Sequence, residues 1–283
     1  MKIGGWLIMP ALKLEELDSV YKRFSLKGKK AMVTGAGGGI GRSTANALAE
    51  MGADVALVDI PQKIDVLKSY AGFIAQKHGI KTLALTGDVT DSKSVDSFLN
   101  EAVEAFGTLD VLHNNAGISG VVAGRNGSDI SLADWEEIIR INQTGVLMVG
   151  RAAANVMKAH EHGGSVINTA SMSAHIINRR QPNERYGPGY SATKAAVVHM
   201  TKAMAMDYVP YKIRFNSISP GVILSGMHDN WRPEILAEAA KMVPMQRFGT
   251  LDEVVGIVCY LASDLSTYTT GADFIVDGGY TVW

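Results

Sequence analysis

The sequence predicts an α/β protein: one doubly wound parallel sheet with helices on both faces, folded as a single domain. Three observations predict it. Short runs of β-branched and apolar residues alternate with longer helical patterns. Those runs are apolar enough to be buried on both sides, as strands of a parallel sheet must be. No linker or solenoid-period repeat divides the 283 residues, of which 47% are hydrophobic and 19% charged, enough for one large core.

Taken in order, "KAMVTG" reads as a strand and passes into a helix from about Ile40. "DVALVD" follows, then a helix over Pro61 to His78; "KTLALTGD" leads to a helix from Asp91 to Phe106, and "LDVLHNNAG" is the fourth strand. After a segment rich in Gly and Ser (117 to 130), one long helix is expected over Leu132 to His160. "GSVINTAS", a helix carrying Tyr190, "IRFNSISPG" and "DFIVDGG" complete the set. Residues 1–28 precede the domain as an extension, and 29–283 form the domain itself. Ligands of such sheets bind at the carboxyl ends of the strands, so each motif is judged by whether it lies there.

Composition excludes several classes. Twenty-seven Lys+Arg against 28 Asp+Glu, with no basic run, give no footprint for nucleic acid or an anionic membrane. The amino-terminal stretch "MKIGGWLIMPALKLEELDS" is broken by Gly4, Gly5 and Pro10 and lacks a small-residue cleavage site, so a cytoplasmic location is expected. No run reaches the ~18 apolar residues that span a bilayer. Cys259, inside "VVGIVCYLA", reads as a core residue, and no metal site is expected.

"VTGAGGGIGRS" joins the first strand to the first helix, where backbone N–H groups and the helix dipole can hold a phosphate. Its glycines, Gly35, Gly39 and Gly41 around Ile40, follow a G-x-x-x-G-x-G spacing. Asp59 closes the second strand about 20 residues on, where a carboxylate accepts hydrogen bonds from an adenosine ribose diol and repels a 2′-phosphate. Gly38 stands where a basic residue could attract that phosphate. NAD is therefore favoured over NADP, with Arg42 as the opposing signal. Asp88, at the end of the third strand, reads either as an adenine contact or as a helix N-cap.

"RYGPGYSATKAAVVHM" places Tyr190 and Lys194 four residues apart, on one helical face. Tyr186 lies before Gly187, Pro188 and Gly189, a run expected to break a helix, which leaves Tyr190 as the partner of Lys194. An ammonium beside a phenol favours the phenolate, giving an acid or base nearer neutral pH.

With "TGAGGGIG", "NNAG" (Asn114 to Gly117), Ser171 and the Tyr190–Lys194 pair in this order, the chain from about Gly28 to Trp283 resembles the short-chain dehydrogenase/reductase family. The resemblance implies a Rossmann-type three-layer sandwich, a nicotinamide dinucleotide and a tetrad of Asn142, Ser171, Tyr190 and Lys194. It makes Tyr190 the base, Ser171 the partner of the reacting oxygen, Asn142 the holder of a water that links Lys194 to solvent, and Lys194 also a ligand of the nicotinamide ribose. Ser173 is a rival for Ser171, set aside by family position. The resemblance adds Val89, Asn115, Ala116, Gly117, Pro220, Gly221, Ile223 and Ser225 to the cofactor site. It further implies a homotetramer packed through the helices near Leu132 and Tyr190. The carboxyl-terminal "GGYTVW" ends on large apolar groups, so it is expected to be docked near a neighbouring subunit.

The interval from Ser171 to Tyr190 is several residues longer than is usual in that family, and it is polar: His175, Asn178, Arg179, Arg180, Gln181, Asn183 and Glu184. Such a lining suits a polyol better than a steroid or acyl chain. Ser173, His175, Asn178 and Gln181 are the expected substrate contacts. "ASMSAHIINRRQP" and "VDGGYTVW" are similar to galactitol- and sorbitol-type dehydrogenases, so polyol to ketose interconversion is the expected reaction. The alternatives are a gluconate 5-dehydrogenase, a 3-oxoacyl-thioester reductase, and a dinucleotide-binding protein without turnover.

Overall fold

The computed structural model describes residues 19–119, 130–177, 188–225 and 233–282, together with the backbone of Lys2–Ile3, Trp6–Leu7, Arg179–Gln181 and Glu184–Arg185. Its frame is a seven-stranded sheet: β1 (Lys30–Thr34), β2 (Asp54–Asp59), β3 (Thr82–Thr86), β4 (Val111–Asn114), β5 (Gly164–Thr169), β6 (Ile213–Pro220) and β7 (Asp273–Val276). The spatial order is β7-β6-β5-β4-β1-β2-β3, and every adjacent pair is parallel. The order reverses between β1 and β4, which opens a crevice at their carboxyl ends.

Alternate residues of each strand feed two cores. Ala31, Val33, Val55 and Leu57 pack with Leu48 of α2 (Gly39–Glu50), Leu67 and Ile74 of α3 (Ile64–His78), and Val254 and Val258 of α9 (Leu251–Ala262). Met32, Ala56, Val58 and Leu112 pack on the other side against Phe98 of α4 (Ser92–Phe106), Val149 of α6 (Val146–Ala159) and Met204 of α7 (Pro188–Tyr208). Apolar strands buried on both faces thus give the three layers expected. Cys259 belongs to this buried set, and burial pushes its thiol up to about 11, which makes it a poor nucleophile.

One boundary differs from the sequence reading, and two that it left open are settled. The expected long helix is interrupted: α5 (Leu132–Ile139) passes through a π-helical turn at Arg140–Gly145 into α6. The apolar period continues across the turn, so sequence pattern alone hides it. Pro188 and Gly189 do not break α7 but begin it, because the first turn needs no N–H from proline. A Cβ on Gly189 would come within 3.2 Å of Ile138, so glycine also lets α5 pack closely. The cap of α4 is Asp91, whose side chain accepts from the Lys93 N–H; Asp88 is therefore not the N-cap.

The extension is not separate along its whole length. Helix α1 (Val20–Phe24) is tied down by Arg23, which donates to the Asp264 carbonyl at 2.7 Å, and Leu26 is sealed in the core. At the other end, a single turn at Tyr280–Val282 follows β7; Tyr280 packs near α8 (Pro233–Ala240) on Ala239, Val243 and Phe248. Asp277 holds that turn by accepting from the Gly279 and Thr281 N–H groups. Val282 is 83% exposed on the single chain.

Candidate active site

The crevice holds two adjoining cavities. The first, of about 660 Å³, is built around the turn from β1 to α2. Gly35 and Gly39 have φ of +67° and +51°, a left-handed backbone that favours glycine. A Cβ on Gly41 would strike the Gly35 carbonyl, and one on Gly35 would lie 3.0 Å from the Ala116 Cα. The loop is thus bare backbone at a helix N-terminus, a cradle that fits a dinucleotide pyrophosphate. Ile40, Asn115, Ala116 and Gly117 line the same cavity, as do Asp88 and Val89 from the end of β3.

Asp59 lines it too. Its Oδ2 accepts from the Gly37 N–H and its Oδ1 from the Ile60 N–H, both at 2.8 Å, which fixes the carboxylate while leaving lone pairs for a ribose diol. Arg42 turns away, its guanidinium 4.5 Å from the centre of the Tyr70 ring. Lys63, not anticipated from the sequence, lines the cavity beside Gly37. For Asp88, burial favours the neutral acid, but bonds from Thr90 and the nearby Arg140 outweigh it and lower the pKa.

The second cavity, of about 190 Å³, gathers Ser171, Ser173, Tyr190 and Lys194 with Pro220, Gly221, Ile223 and Ser225. Ser225, Ile40, Asn115 and Gly117 line both cavities, so the two are continuous. Tyr190 and Lys194 lie on consecutive turns of α7, with the ammonium 5.7 Å from the phenol ring centre. Lys194 Nζ donates to the Thr169 carbonyl at 2.8 Å. Burial pushes its pKa down to about 8, because the charged form is poorly solvated there.

Ser171 follows β5, and its Oγ accepts from the Ser173 N–H at 3.1 Å. Ser173 is buried and its Oγ has no partner among the described residues. Asn142 lies in the π-helical turn, fully buried, and clasps Ile118 in both directions: Oδ1 accepts from its N–H and Nδ2 donates to its carbonyl, each at 2.8 Å. A Cβ on Gly117 would sit 3.1 Å from Asn142 Oδ1 and 3.7 Å from Lys194 Nζ, so glycine leaves space between them.

His175 does not reach the cavity. Its Nε2 lies 2.7 Å from Asp273 Oδ2 on β7, a carboxylate that also accepts from Ser217 and Ser219. The Asp273 carboxylate at the sheet edge holds the His175 ring, which does not line the described cavity. Asn178 and the side chain of Gln181 lie outside the described residues, as do Asn183, Tyr186, Trp283 and the side chains of Arg179 and Arg180. Asn114 serves the fold, donating to the Val146 carbonyl and to Asn168 Oδ1. Sequence reasoning missed Thr34 and Thr169, whose only signal is their place at two strand ends, in "VTG" and "NTAS".

A family model described as "Enoyl-(Acyl carrier protein) reductase" matches residues 35–281. A sorbose reductase of Candida albicans is 38% identical over 93% of this chain and 91% of its own. An NADP-dependent mannitol dehydrogenase of Hypocrea jecorina is 38% identical over 91% of this chain and 94% of its own. The crystal structure of a short-chain type dehydrogenase/reductase from Mycobacterium marinum superposes with a TM-score of 0.86 at 40% identity, covering 94% of this chain and all of that one. The chain belongs to the short-chain dehydrogenase/reductase family. It is an oxidoreductase that acts on CH–OH groups and uses NAD(P). Among the described residues no helix is long and apolar enough to cross a membrane.

Proposed function

We propose that this protein interconverts a polyol and its ketose, with Tyr190 as the acid or base and NAD as the dinucleotide. One observation carries the reading: Tyr190, Lys194 and Ser171 line a small cavity that opens into the glycine-floored groove. A nicotinamide dinucleotide bound there supplies the hydride acceptor or donor. In oxidation, Tyr190 Oη takes the hydroxyl proton of the alcohol, and the ammonium of Lys194 favours the phenolate that accepts it. Ser171 Oγ donates to the same oxygen as charge develops on it. Lys194 also binds the nicotinamide ribose, and Ile223 and Ser225 hold the carboxamide. Asn142, which the family resemblance assigns to the proton route, would hold a water that links Lys194 to solvent so that the proton taken by Tyr190 can leave.

The polyol assignment is supported by the names of the sorbose and mannitol relatives and by the polar interval after Ser171. NAD is supported by Asp59, held at the rim of the groove by two backbone N–H groups. NADP is the second reading, favoured by Lys63 in the same cavity and by the cofactor named for the mannitol relative. One assay tests both. Nicotinamide absorbance is followed with NAD and NADP against sorbitol, mannitol, galactitol, xylitol, gluconate and a 3-hydroxyacyl thioester. Turnover of a polyol with NAD is expected, and in Asp59→Ala the NAD/NADP ratio of kcat/KM falls at least about tenfold, since a fixed charge near a 2′-phosphate contributes on the order of 1.4 kcal/mol. Turnover of gluconate or the thioester alone overturns the substrate; a wild type that prefers NADP overturns the cofactor.

A homotetramer is supported by apolar groups left exposed on the two long helices, Leu147 on α6 and Met206 on α7. Light scattering is expected to give four chains per particle, and a monomer rejects it.

A further inference from the structure

β4 carries a titratable group that the chemistry above does not use. His113 lies in register with Val33 of β1 and Ile167 of β5, at the centre of the sheet, and is completely buried. Its Nε2 is 3.0 Å from Thr169 Oγ1, while Nδ1 has no partner among the described residues. An apolar side chain would fill a central strand without leaving a ring nitrogen unsatisfied. The imidazole therefore calls for a reason beyond packing.

The hydrogen bonds supply one. Thr169 has a single hydroxyl proton and gives it to Asn115 Oδ1 at 3.2 Å. Its oxygen must then accept from His113, which sets the ring as the Nε2–H tautomer. Asn115 is held at its other end as well: Nδ2 donates to the Thr34 carbonyl at 3.2 Å, and its backbone N–H donates to Thr34 Oγ1 at 3.0 Å. A flipped amide would set carbonyl against carbonyl at Thr34. Asn115 stands where the two cavities meet. The carbonyl of the same Thr169 receives Lys194 Nζ.

We propose that His113 is a positioning residue for the dinucleotide: from beneath the crevice it holds the Thr169 hydroxyl, and through it the Asn115 amide, in the one orientation that leaves the waist of the groove ready to bind. The proposal rests on the dinucleotide reading above. His113 never touches the ligand; it acts through two side chains.

The test uses His113→Val, His113→Gln and Thr169→Val, with NADH or NADPH affinity read by fluorescence titration and kcat read at saturating dinucleotide. His113→Val is expected to raise the dissociation constant roughly fivefold to tenfold, the worth of one hydrogen bond, with kcat within about twofold. The amide of His113→Gln can donate to the same oxygen and is expected to restore affinity. Thr169→Val, which keeps the shape of the side chain, is expected to weaken binding by a similar factor even should His113→Val fail to fold. The double variant is expected to be no weaker than either single one, because both remove the same link. Unchanged affinity in His113→Val, no rescue by glutamine, or additive losses would overturn the proposal. Nitrogen-15 spectra of the imidazole test the arrangement without any ligand: an Nε2–H tautomer supports it and an Nδ1–H tautomer refutes it. A wild type that binds neither dinucleotide would instead overturn the reading of the crevice, and with it the purpose given to His113.

Discussion

Replacing Tyr190 by phenylalanine is expected to lower kcat by about 10³-fold, within the range that a positioned acid or base contributes, while NADH affinity changes by less than about threefold. The physical reason is separability. The dinucleotide cradle is made of backbone at Gly35, Gly39 and Gly41 and of Asp59, none of which depends on the phenol oxygen. The phenyl ring of the variant keeps its place on α7 beside Lys194, so the cavity wall survives and only the group that exchanges a proton is lost. Steady-state absorbance and fluorescence titration measure the two quantities independently. Loss of both would mean that Tyr190 shapes the cofactor site; retention of turnover would place the base elsewhere, with Lys194, whose pKa burial pushes down to about 8, the first position to try.

The second large effect is on stability. Burial pushes the His113 imidazole down to about 3 from its ordinary 6.5, with no charged neighbour to offset it. The folded protein therefore refuses a proton that the unfolded chain accepts. Between those two values the unfolded state binds more protons, so stability from this group is fully present above pH 6.5 and is lost as pH falls toward 3. At pH 4.5 the loss amounts to roughly 3 kcal/mol. Urea unfolding of wild type and His113→Val at pH 7.5 and 4.5 measures it. The wild type is expected to lose about that much more than the variant over the interval. Equal losses would show that the ring takes up a proton in the folded state, and hence that it is less sealed than its burial implies.

The degree to which the site could be read beforehand varied with the kind of interaction. Tyr190 and Lys194 were legible because helix geometry converts a spacing of four into a shared face, whatever surrounds it. The glycine loop was legible for the same local reason, and its partner Asp59 because strand length fixes where a strand ends. His175 was legible only in part. Its polarity and place in the chain suggested substrate, but its hydrogen bond to the Asp273 carboxylate, 98 residues away, follows from no local pattern. Asn142 was identified by resemblance, yet its clasp on Ile118 and the π-helical turn that presents it are long-range matters too. The run at Gly187 to Gly189 marked where the helix of Tyr190 begins, but not at which residue, because proline at the first position of a helix and proline before a helix look alike in sequence.

What the sequence by itself determined is whatever follows from period and adjacency: alternating strands and helices, strands buried on both faces, a phosphate-binding turn, and a tyrosine and lysine on one helical face. Only the tertiary structure decided which of those features meet. It brought the end of β1, the end of β4 and the start of α7 to one crevice, drew His175 to the sheet edge, and sealed His113 beneath Thr169 and Asn115. The physical reason is range. Backbone geometry repeats within a few residues, whereas a buried hydrogen bond is settled by whichever partners the packed core leaves within about 3 Å, and those come from anywhere in the chain.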